Sequence, residues 1–352
     1  MNRYNRQTIL KDFGTKAQEK LANASVLVVG LGGLGIPVVQ YLTAMGIGTL
    51  GLVEADTIDI SNLQRQVLYD EYDVGKSKLT VALEKLEAQN SGTKFIPFDT
   101  FLNRDNALEI INVFDVVVDA SDNFATRYLI NDACVLLKKP FVSGAVQGFE
   151  GQLSVFNFKG GPTYRCLFPN QPKASEIPNC NENGVLGVLP AIIGNLQTLE
   201  VVKVITGVGE VLNGKLLLFN GLNQSFQKIK FSLKPENLEI RKLANSYGNE
   251  QCKTHYSINS KDFFELLESK KSIQIIDVRT NEEYELFHLP HSAHIPLNFL
   301  EENQFKINTK KPIYLICQSG KRSQLAQKQL AQQNIVAINV EGGINSYLTL
   351  CT

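Results

Sequence analysis

A glycine-rich stretch of the chain has the composition of a phosphate-binding loop. The glycines Gly30, Gly32, Gly33 and Gly35 fit the pattern G-x-G-x-x-G. The β-branched run Ser25–Val29 precedes them and a helical apolar pattern follows, so backbone N–H groups at a helix start can bind an anion. Glu54 lies about 20 residues further on, where a carboxylate can accept from ribose hydroxyls. A nucleotide site is predicted, and this pattern by itself is more typical of a dinucleotide than of ATP.

Several cationic side chains follow the glycine-rich stretch, and hydride transfer does not require such cations. Asn62 and Arg65 lie in the segment SNLQRQ, and Lys78 lies thirteen residues after Arg65. Arg6 stands near the start of the chain in RYNRQ. Groups of this kind stabilise charge on the oxygens of a phosphoryl or nucleotidyl group during its transfer. The cations therefore favour nucleotidyl transfer over hydride transfer.

Carboxylates follow the strand predicted at Val113–Asp119, in the segment DASDN. Ligands bind at the carboxyl ends of parallel strands, and Asp122 at this edge can hold magnesium, with Asn123 beside it. Taken singly, Arg65 and Lys78 are also consistent with solvated surface charges, and Asp122 with the N-cap of the next helix. The order of all these groups along the chain favours the functional interpretation.

A second candidate centre is the loop Cys317-Gln318-Ser319-Gly320-Lys321-Arg322, between an apolar strand and a helix. Such a loop turns backbone N–H groups toward the sulfur, and we expect the helix start and Arg322 to stabilise negative charge there. The alternative is a buried core cysteine, which would not need a glycine and two cations. A phosphatase would also use a cysteine and an arginine, but the four residues between Cys317 and Arg322 make a tighter loop, which favours sulfur.

The predicted elements that position the first set of residues alternate between strand and helix. Strands are expected at Ser25–Val29, Thr49–Glu54, Val113–Asp119 and Lys139–Ser143, which indicates a parallel, doubly wound sheet. Beyond Gly148 we expect two antiparallel strands, a buried helix and a crossover loop, at Gln152–Phe158, Lys215–Phe219, Leu189–Ile205 and Pro169–Gly187. The first domain is thus predicted to be a Rossmann-like α/β fold with a mixed sheet.

A second α/β pattern begins near Tyr256 and is dense enough for a small independent domain. We predict a first domain over 1–244, a linker over 245–255 and a second domain over 256–352.

Charge and composition restrict the function further. The chain has 352 residues, with 35 basic and 35 acidic side chains, so nothing indicates nucleic acid as the main partner. No signal peptide and no apolar run of about 20 residues is evident, so we expect a cytoplasmic protein without a membrane partner. Its six cysteines are too scattered for a disulfide framework.

Residues from about 2 to 244 resemble the MoeB/ThiF family of adenylyltransferases, which activate ubiquitin-like sulfur carriers. The matching segments are RYNRQ, GLGGLG, SNLQRQ, VGKSK, DASDN, VSGAVQGFEGQ and YRCLFP. The resemblance implies ATP as the nucleotide, with Glu54 on its ribose and with Asn62, Arg65 and Lys78 on the triphosphate. It also implies magnesium on Asp122 and a homodimer in which Arg6 reaches into the partner subunit. The family usually has aspartate where this chain has Glu54, so we expect an altered affinity without loss of function.

The C-terminal part, Tyr256–Thr352, resembles a rhodanese sulfurtransferase domain through the Cys317 loop, Asp277-Val-Arg279 and the segment HLPHSAHIP. Such domains carry sulfur as a cysteine persulfide. The three histidines of that segment (His288, His291 and His294) are interrupted by prolines, so a structural loop is expected there in place of a metal site. In the adenylyltransferase family a cysteine on the crossover loop takes part in transfer, which implies Cys180 as a second nucleophile.

The same family commonly binds structural zinc through two C-x-x-C pairs. Here each pair has lost its first thiol, leaving Cys166 and Cys252, and His255 could restore only a third ligand. We therefore predict no structural zinc. Cys134 is expected to be a buried apolar residue and Cys351 a terminal thiol.

Together these resemblances imply ATP-dependent adenylation of a carrier protein of the MoaD/ThiS type, followed by sulfur delivery from Cys317 to give a thiocarboxylate. An upstream persulfide donor such as a cysteine desulfurase is implied, and the pathway (molybdopterin, thiazole, tRNA thiolation or another) stays open. Two alternatives are an NAD-dependent oxidoreductase, which leaves Arg65, Lys78 and Cys317 unexplained, and a non-catalytic carrier-binding scaffold.

Overall fold

A computed structural model of the chain describes residues 3–172, 184–247, 256–269, 272–300, 302–303, 306–309, 311–333 and 335–351. The chain forms two compact units, Met1–Tyr247 and Gly248–Thr352. The first unit continues three residues beyond the boundary predicted at 244, because Tyr247 is only 8% exposed and its hydroxyl donates to Asp132 Oδ2 at 2.8 Å. Because the sequence around Tyr247 is polar, it was predicted to be a linker, and the contact of Tyr247 with Asp132 could not be predicted from it.

The first unit contains eight α-helices and eight strands among the described residues. The helices are α1 (Asn5–Thr8), α2 (Gly14–Asn23), α3 (Gly35–Met45), α4 (Lys78–Gln89), α5 (Ala107–Asn112), α6 (Phe124–Leu137), α7 (Tyr164–Leu167) and α8 (Val188–Thr206). The strands are β1 (Ser25–Val29), β2 (Thr49–Val53), β3 (Lys94–Phe98), β4 (Val116–Asp119), β5 (Phe141–Gln147), β6 (Glu150–Phe156), β7 (Lys215–Asn220) and β8 (Ser225–Lys230).

These strands form one sheet in the order β3-β2-β1-β4-β5-β6-β7-β8. The pairs from β3 to β5 are parallel and those from β5 to β8 are antiparallel, so the predicted mixed sheet is confirmed. Along the chain, β2 and β3 are added on one side of β1, and β4 is added on the other side, so the order of strand addition switches between β1 and β4. Loops that follow strands on either side of such a switch point line a crevice, which is where open α/β sheets bind their ligands.

Two strands of the first unit have no counterpart in the sequence prediction. One is β3, which contains Pro97 and lies at one edge of the sheet. The other is β8 at the opposite edge, where every residue is exposed and lysines interrupt the apolar residues. Edge strands that face water need no continuous apolar run, so a pattern search for such runs does not find them.

The helix α8 has the length and apolar composition of a membrane span, which the sequence analysis did not anticipate. Half of its residues are buried within the protein, where Leu189 and Ile193 join the same core as the strands of the sheet. Gly144 and Gly151 on the neighbouring strands leave room for Gln197 and Ile193 of this helix. It is the central packing helix of the first unit.

The second unit is a smaller α/β fold. Its strands are β9 (Tyr256–Ile258), β10 (Gln274–Asp277), β11 (Ala293–His294), β12 (Ile313–Ile316) and β13 (Ile338–Val340), and its helices are α9 (Ser260–Glu268), α10 (Asn281–Leu286), α11 (Lys321–Gln332) and α12 (Gly343–Cys351). The strands pair in parallel in the order β11-β10-β12-β13-β9. Since β12 pairs with β10 so that Ile316 lies opposite Asp277, Cys317, which follows β12, lies at the same edge of the sheet as the end of β10.

Candidate functional site

The glycine loop joins β1 to α3 through a turn that excludes side chains. Gly30 has a φ of +97°, and a Cβ there would lie 2.9 Å from the carbonyl oxygen of Ala120. A Cβ on Gly35 would overlap the carbonyl oxygen of Gly30. Glycine at these two positions therefore lets the start of α3 come close to the end of β4, as the phosphate-binding pattern predicts.

Glu54 fixes this loop from the end of β2. Its Oε2 accepts a hydrogen bond from the backbone N–H of Leu31 at 2.8 Å, and its Oε1 accepts from Ala55 and Asp56 at 2.9 and 3.0 Å. The residue is 7% exposed. Since a carboxylate has about four acceptor positions, one on Oε2 is left for a ribose hydroxyl.

Lys78 begins α4 and is buried at the crevice. Its Nζ lies 3.3 Å from Asp56 Oδ2, an exposed carboxylate that the sequence analysis did not single out. The Tyr69 hydroxyl lies 3.2 Å from the carbonyl oxygen of Leu31 and 3.3 Å from that of Lys78, joining the glycine loop to α4. Burial, with a smaller contribution from Glu54, raises the pKa of Tyr69 far above its usual value, so the hydroxyl keeps its proton.

Arg65 and Asn62 lie on the turn that follows β2. The Nη1 of Arg65 donates to the carbonyl oxygen of Ser61 at 3.0 Å, and its Cγ would lie 3.3 Å from a Cβ at Gly33, so the side chain runs along the glycine loop. The Oδ1 of Asn62 accepts from the backbone N–H of Asp59 at 3.2 Å and caps this turn. Arg65 thus lies along the glycine loop, and Lys78 is joined to that loop through Tyr69. The assignment of Asn62, Arg65 and Lys78 to a triphosphate stays a prediction.

The loop after β4 is shaped by a buried carboxylate. Asp119 accepts from the backbone N–H and the hydroxyl of Ser121, at 3.1 and 2.6 Å, and from the Ser143 hydroxyl at 2.7 Å. The N-cap of α6 is Asn123, whose Oδ1 accepts from Thr126 N–H at 2.9 Å. The alternative role of Asp122 as this cap is therefore wrong.

Asp122 is exposed at this edge, and Asn123 Nδ2 lies 3.5 Å from its Oδ1. The described residues contain no group of three or more His, Cys, Asp or Glu side chains that could hold a metal by themselves. Magnesium at nucleotide sites commonly takes one or two carboxylates and completes its shell with phosphates and water. The accessible carboxylate of Asp122 fits that requirement.

Arg6 is not brought to this loop within one chain. It is exposed on α1, and the neighbouring Tyr4 packs against Gly46 at the carboxyl end of α3. The glycine loop lies at the other end of α3, about 15 Å away along the helix axis.

Two buried polar residues near the crevice were missed from the sequence. Gln66 lies beside the glycine loop, with its Nε2 3.7 Å from a Cβ at Gly32, and its buried Oε1 has no partner among the described residues. Arg127 on α6 donates to the Ser121 carbonyl oxygen at 3.1 Å and lies 5.5 Å from the Phe124 ring centroid. Gln66 stands next to Arg65 in the segment SNLQRQ, which was the available signal. No such signal existed for Arg127, because an arginine in a helical pattern is more often an exposed surface residue.

Cys166 receives hydrogen bonds where the family places a zinc ligand. Its Sγ accepts from the backbone N–H groups of Thr163 and Lys234, at 3.4 and 3.3 Å, and from Asn237 Nδ2 at 3.6 Å. Burial favours the neutral thiol, but hydrogen bonds from Thr163, Lys234 and Asn237 prevail and lower the pKa of Cys166 below its usual value. Cys180, Cys252 and His255 lie outside the described residues, so the absence of zinc stays a prediction.

The remaining cysteine predictions concern Cys134 and Cys351. Cys134 is fully buried as expected, and this burial raises its pKa far above the usual value. The side chain of Cys351 lies outside the described part of the structure.

The Cys317 loop directs two hydrogen-bond donors at the sulfur, but Cys317 is also fully buried and packs in the core of this unit, which is the feature that the alternative interpretation expected. The backbone N–H of Gly320 donates to Cys317 Sγ at 3.1 Å, and the Ser323 hydroxyl donates to the same sulfur at 3.3 Å. Gly320 has a φ of +86° and packs against the backbone N–H of Gly342, so a side chain there would be strained. Ser319 and Lys321 are exposed at the mouth of the loop.

Arg279 is buried beneath the loop. It forms an ion pair with the fully buried Asp277, with Nη2 and Oδ2 2.7 Å apart, and its Nη1 donates to Gln318 Oε1 at 3.1 Å. The motif Asp277-Val-Arg279 therefore holds the residue that follows the candidate nucleophile. His288 and His294 stack on opposite sides of the Tyr284 ring, with centroid distances of 4.2 and 4.1 Å, which is a structural role as expected.

Arg322, which was expected to stabilise negative charge at the sulfur, is bound to a carboxylate. Its Nη1 and Nη2 donate to the two carboxylate oxygens of Glu283 on α10, at 2.7 and 2.6 Å. This pairing lowers the pKa of Glu283 to about 2. The cation expected to stabilise the sulfur is therefore neutralised by a carboxylate that lies 39 positions away in the sequence.

Comparison with known proteins places this arrangement in a family. Residues 4–240 match the model of the ThiF family, and residues 260–350 match the rhodanese-like domain. The chain belongs to the ThiF family. Its ThiF part is an adenylyltransferase, and its rhodanese-like part is a sulfurtransferase.

Among relatives of this ThiF family chain, the Xenopus laevis protein "Adenylyltransferase and sulfurtransferase MOCS3" is 38% identical over 98% of the chain and 85% of its own length. The Aedes aegypti protein of the same name is 40% identical over 94% of the chain and 81% of its own length. The relatives therefore share both parts.

Solved structures of E. coli MccB also resemble the chain. The complex described as MccB with AMPCPP and MccA has a TM-score of 0.58 and 26% identity, covering 66% of this chain and 73% of that one. The complex of MccB with ATP has a TM-score of 0.56 and 25% identity, covering 67% of this chain and 73% of that one.

Proposed function

We propose that the chain adenylates the C-terminal carboxylate of a ubiquitin-like sulfur-carrier protein of the MoaD/ThiS type and then converts it into a thiocarboxylate. The observation that carries this proposal is the presence of two separately built anion sites on one chain. One is the glycine loop with Glu54, Arg65 and Lys78, and the other is the N–H and hydroxyl cradle around Cys317. The names of the relatives pair the same two activities.

In the first reaction an oxygen of the carrier carboxylate attacks the α-phosphorus of ATP. The bond from that phosphorus to the bridging oxygen breaks, and pyrophosphate leaves with the electron pair. Lys78 and Arg65 oppose the charge that grows on the phosphate oxygens. Before ATP binds, Lys78 is paired with Asp56, so the phosphates compete with this exposed carboxylate for the ammonium group.

Magnesium fits at Asp122, where it would supply positive charge to the phosphates. The chain's own contribution is the rigid loop that carries Asp122, since Asp119, Ser121 and Ser143 fix its backbone and Asn123 takes the helix cap. Asp122 is therefore exposed to solvent, and the cap of α6 does not depend on it.

We further propose that the active unit is a homodimer in which Arg6 of one copy reaches into the nucleotide crevice of the other copy. The position of Tyr4 supports this. Tyr4 packs at the carboxyl end of α3, whereas the glycine loop of the same chain lies at the other end of that helix, away from Arg6. Mixing Arg6→Ala chains with Arg65→Ala chains tests it. Each variant alone should be inactive, whereas a mixed dimer should recover activity at the one site that has both arginines.

In the second reaction the terminal sulfur of a Cys317 persulfide attacks the acyl carbon, and AMP leaves. A thiolate then cleaves the sulfur–sulfur bond. This step releases the carrier thiocarboxylate and leaves a disulfide that a thiol reductant reopens. Cys180 is the proposed source of that thiolate, and a cysteine desulfurase is the proposed source of the persulfide.

The proposed docking site for the carrier is the antiparallel part of the sheet. At its edge, β8 has an unpaired side among the described strands. Phe226 is 55% exposed, and its ring is tilted by 34° against the buried ring of Phe219, with centroids 4.8 Å apart. An apolar face of a carrier can cover these rings while its C-terminal tail extends to the crevice.

The test is to mix the chain with candidate carriers of the molybdopterin and thiazole types and with ATP, and to weigh each carrier by mass spectrometry. One carrier should gain the mass of AMP, and with a sulfur donor present it should instead exchange one oxygen for sulfur. Exchange of labelled pyrophosphate into ATP should depend on that carrier. A chain that binds carriers without either mass change would be a scaffold.

A further inference from the structure

Two of the three cations around Cys317 are already paired with carboxylates. Asp277 neutralises Arg279, and Glu283 neutralises Arg322 through two hydrogen bonds. Lys321 is exposed and forms no ion pair within the described part of the loop. The cradle therefore offers directed N–H and O–H groups to a sulfur anion but little net positive charge.

Glu283 is held in place independently of Arg322. It is the third residue of α10 and forms a capping box with Thr280, whose N–H donates to Glu283 Oε2 at 3.0 Å. In return the Glu283 N–H lies 3.4 Å from the Thr280 hydroxyl. The side chains of Arg322 and Glu283 are 33% and 29% exposed, so the pair borders the solvent from which a sulfur donor arrives.

We propose that Glu283 determines which sulfur donor Cys317 accepts, by neutralising Arg322 and so disfavouring doubly charged inorganic donors relative to a cysteine-borne persulfide. The inference rests on the proposed loading of Cys317 by a persulfide. Glu283 binds Arg322, whereas Gly320 and Ser323 donate to Cys317 Sγ, so Glu283 acts as a specificity-determining residue through Arg322.

The charge difference between the donors follows from the chemistry. With thiosulfate, the Cys317 thiolate attacks the outer sulfur, the sulfur–sulfur bond breaks and sulfite leaves with the electron pair. Three negative charges come together in that step. With a cysteine persulfide as donor, a proton compensates one negative charge. Either the persulfide is protonated before the attack, or a proton is supplied to the cysteine thiolate as it leaves. Fewer negative charges therefore come together than with thiosulfate. An unpaired Arg322 therefore stabilises the thiosulfate reaction more than the persulfide reaction.

The test uses the full chain and the variant Glu283→Gln. Glutamine at this helix position keeps the capping box and the size of the side chain, but it removes the charge that holds Arg322. With thiosulfate as donor and cyanide as acceptor, thiocyanate formation should show a KM for thiosulfate about tenfold lower. With free cysteine persulfide as donor, KM should change less than about twofold. The matched control is Glu282→Gln, an exposed carboxylate on the same turn, which should leave both values unchanged.

A double-mutant cycle separates the charge effect from a structural one. In an Arg322→Ala background, Glu283→Gln should no longer alter the KM for thiosulfate, because the cation that it would release is absent. The proposal is overturned if Glu283→Gln leaves this KM within twofold of the parent, or if its effect persists without Arg322. Failure of the proposed function looks different, since Cys317→Ala would then still yield carrier thiocarboxylate.

Discussion

Glu54 at the end of β2 accepts a hydrogen bond from the backbone N–H of Leu31 at 2.8 Å and thereby joins the end of this strand to the glycine loop. This contact gives a reason for glutamate where the family usually has aspartate. The extra methylene lets one carboxylate oxygen reach the loop while the other caps the N–H groups of Ala55 and Asp56.

Replacing Glu54 should therefore affect ATP binding in two ways. Glu54→Ala removes the acceptor for a buried N–H group, which costs about 1–3 kcal/mol, and it removes the ribose contact as well. We expect the KM for ATP in carrier-dependent pyrophosphate exchange to rise more than about tenfold. Glu54→Asp should raise it less, because the shorter carboxylate can still accept from ribose. Equal effects of the two variants would contradict the role of side-chain length.

Asp122→Ala should abolish carrier-dependent ATP–pyrophosphate exchange without unfolding the chain. Its carboxylate is exposed and Asn123 holds the helix cap, so the fold does not depend on it. Loss of the carboxylate proposed to hold magnesium at the phosphates should remove charge stabilisation from the transferring group. Thermal melting verifies folding, and Glu109→Ala, another exposed carboxylate of this unit, is the matched control. Exchange at the wild-type rate in Asp122→Ala would refute the assignment.

Purified protein should contain well under one zinc per chain, because each C-x-x-C pair lacks its first thiol. The Cys166 sulfur instead joins Thr163 to Lys234 and Asn237 by hydrogen bonds. Cys166→Ser should accordingly keep much of the stability, since a hydroxyl can accept some of the same bonds. Elemental analysis that finds stoichiometric zinc, lost in Cys166→Ser, would show that other ligands replace the missing thiols.

The ion pair of Glu283 and Arg322 predicts a pH dependence of stability. The folded pKa of Glu283 is lowered from 4.5 to about 2 by Arg322, so the pair stabilises the folded state above the unfolded value. That stabilisation is lost as the pH falls from about 4.5 through about 2. Urea unfolding of the parent and of Glu283→Gln should give curves that differ near neutral pH and converge toward pH 2. A difference that does not depend on pH would mean that the charge of Glu283 is not its source.

The parts of both sites that are local in the sequence could be predicted from it. The glycine turn and the sulfur cradle each lie between one strand and the next helix, so their geometry follows from a few adjacent residues such as Gly30 and Gly320. Contacts between distant segments could not be predicted in this way. Glu283 on α10 binds Arg322 on α11, and Tyr247 donates to Asp132, which lies 115 residues earlier in the sequence. Nor does any local pattern show that α3 separates Arg6 from the glycine loop.

The last prediction separates the two chemistries. Cys317→Ala removes the thiol that the Gly320 N–H and the Ser323 hydroxyl surround, but that thiol belongs to a different compact unit from the glycine loop. Adenylation of the carrier should therefore persist, while sulfur transfer from thiosulfate to cyanide should vanish. Arg65→Ala should do the reverse, because losing a cation at the phosphates weakens transition-state stabilisation by roughly 3 kcal/mol.

Both variants are measured in both assays, with pyrophosphate exchange reporting the first chemistry and thiocyanate formation the second. Gln64→Ala, an exposed neighbour of Arg65, controls for disturbance of the turn after β2. If Cys317→Ala eliminated adenylation as well, the cysteine would have to act at the nucleotide site. If sulfur transfer survived in that variant, another thiol would carry the sulfur. In either case the two units would not divide the reaction between them.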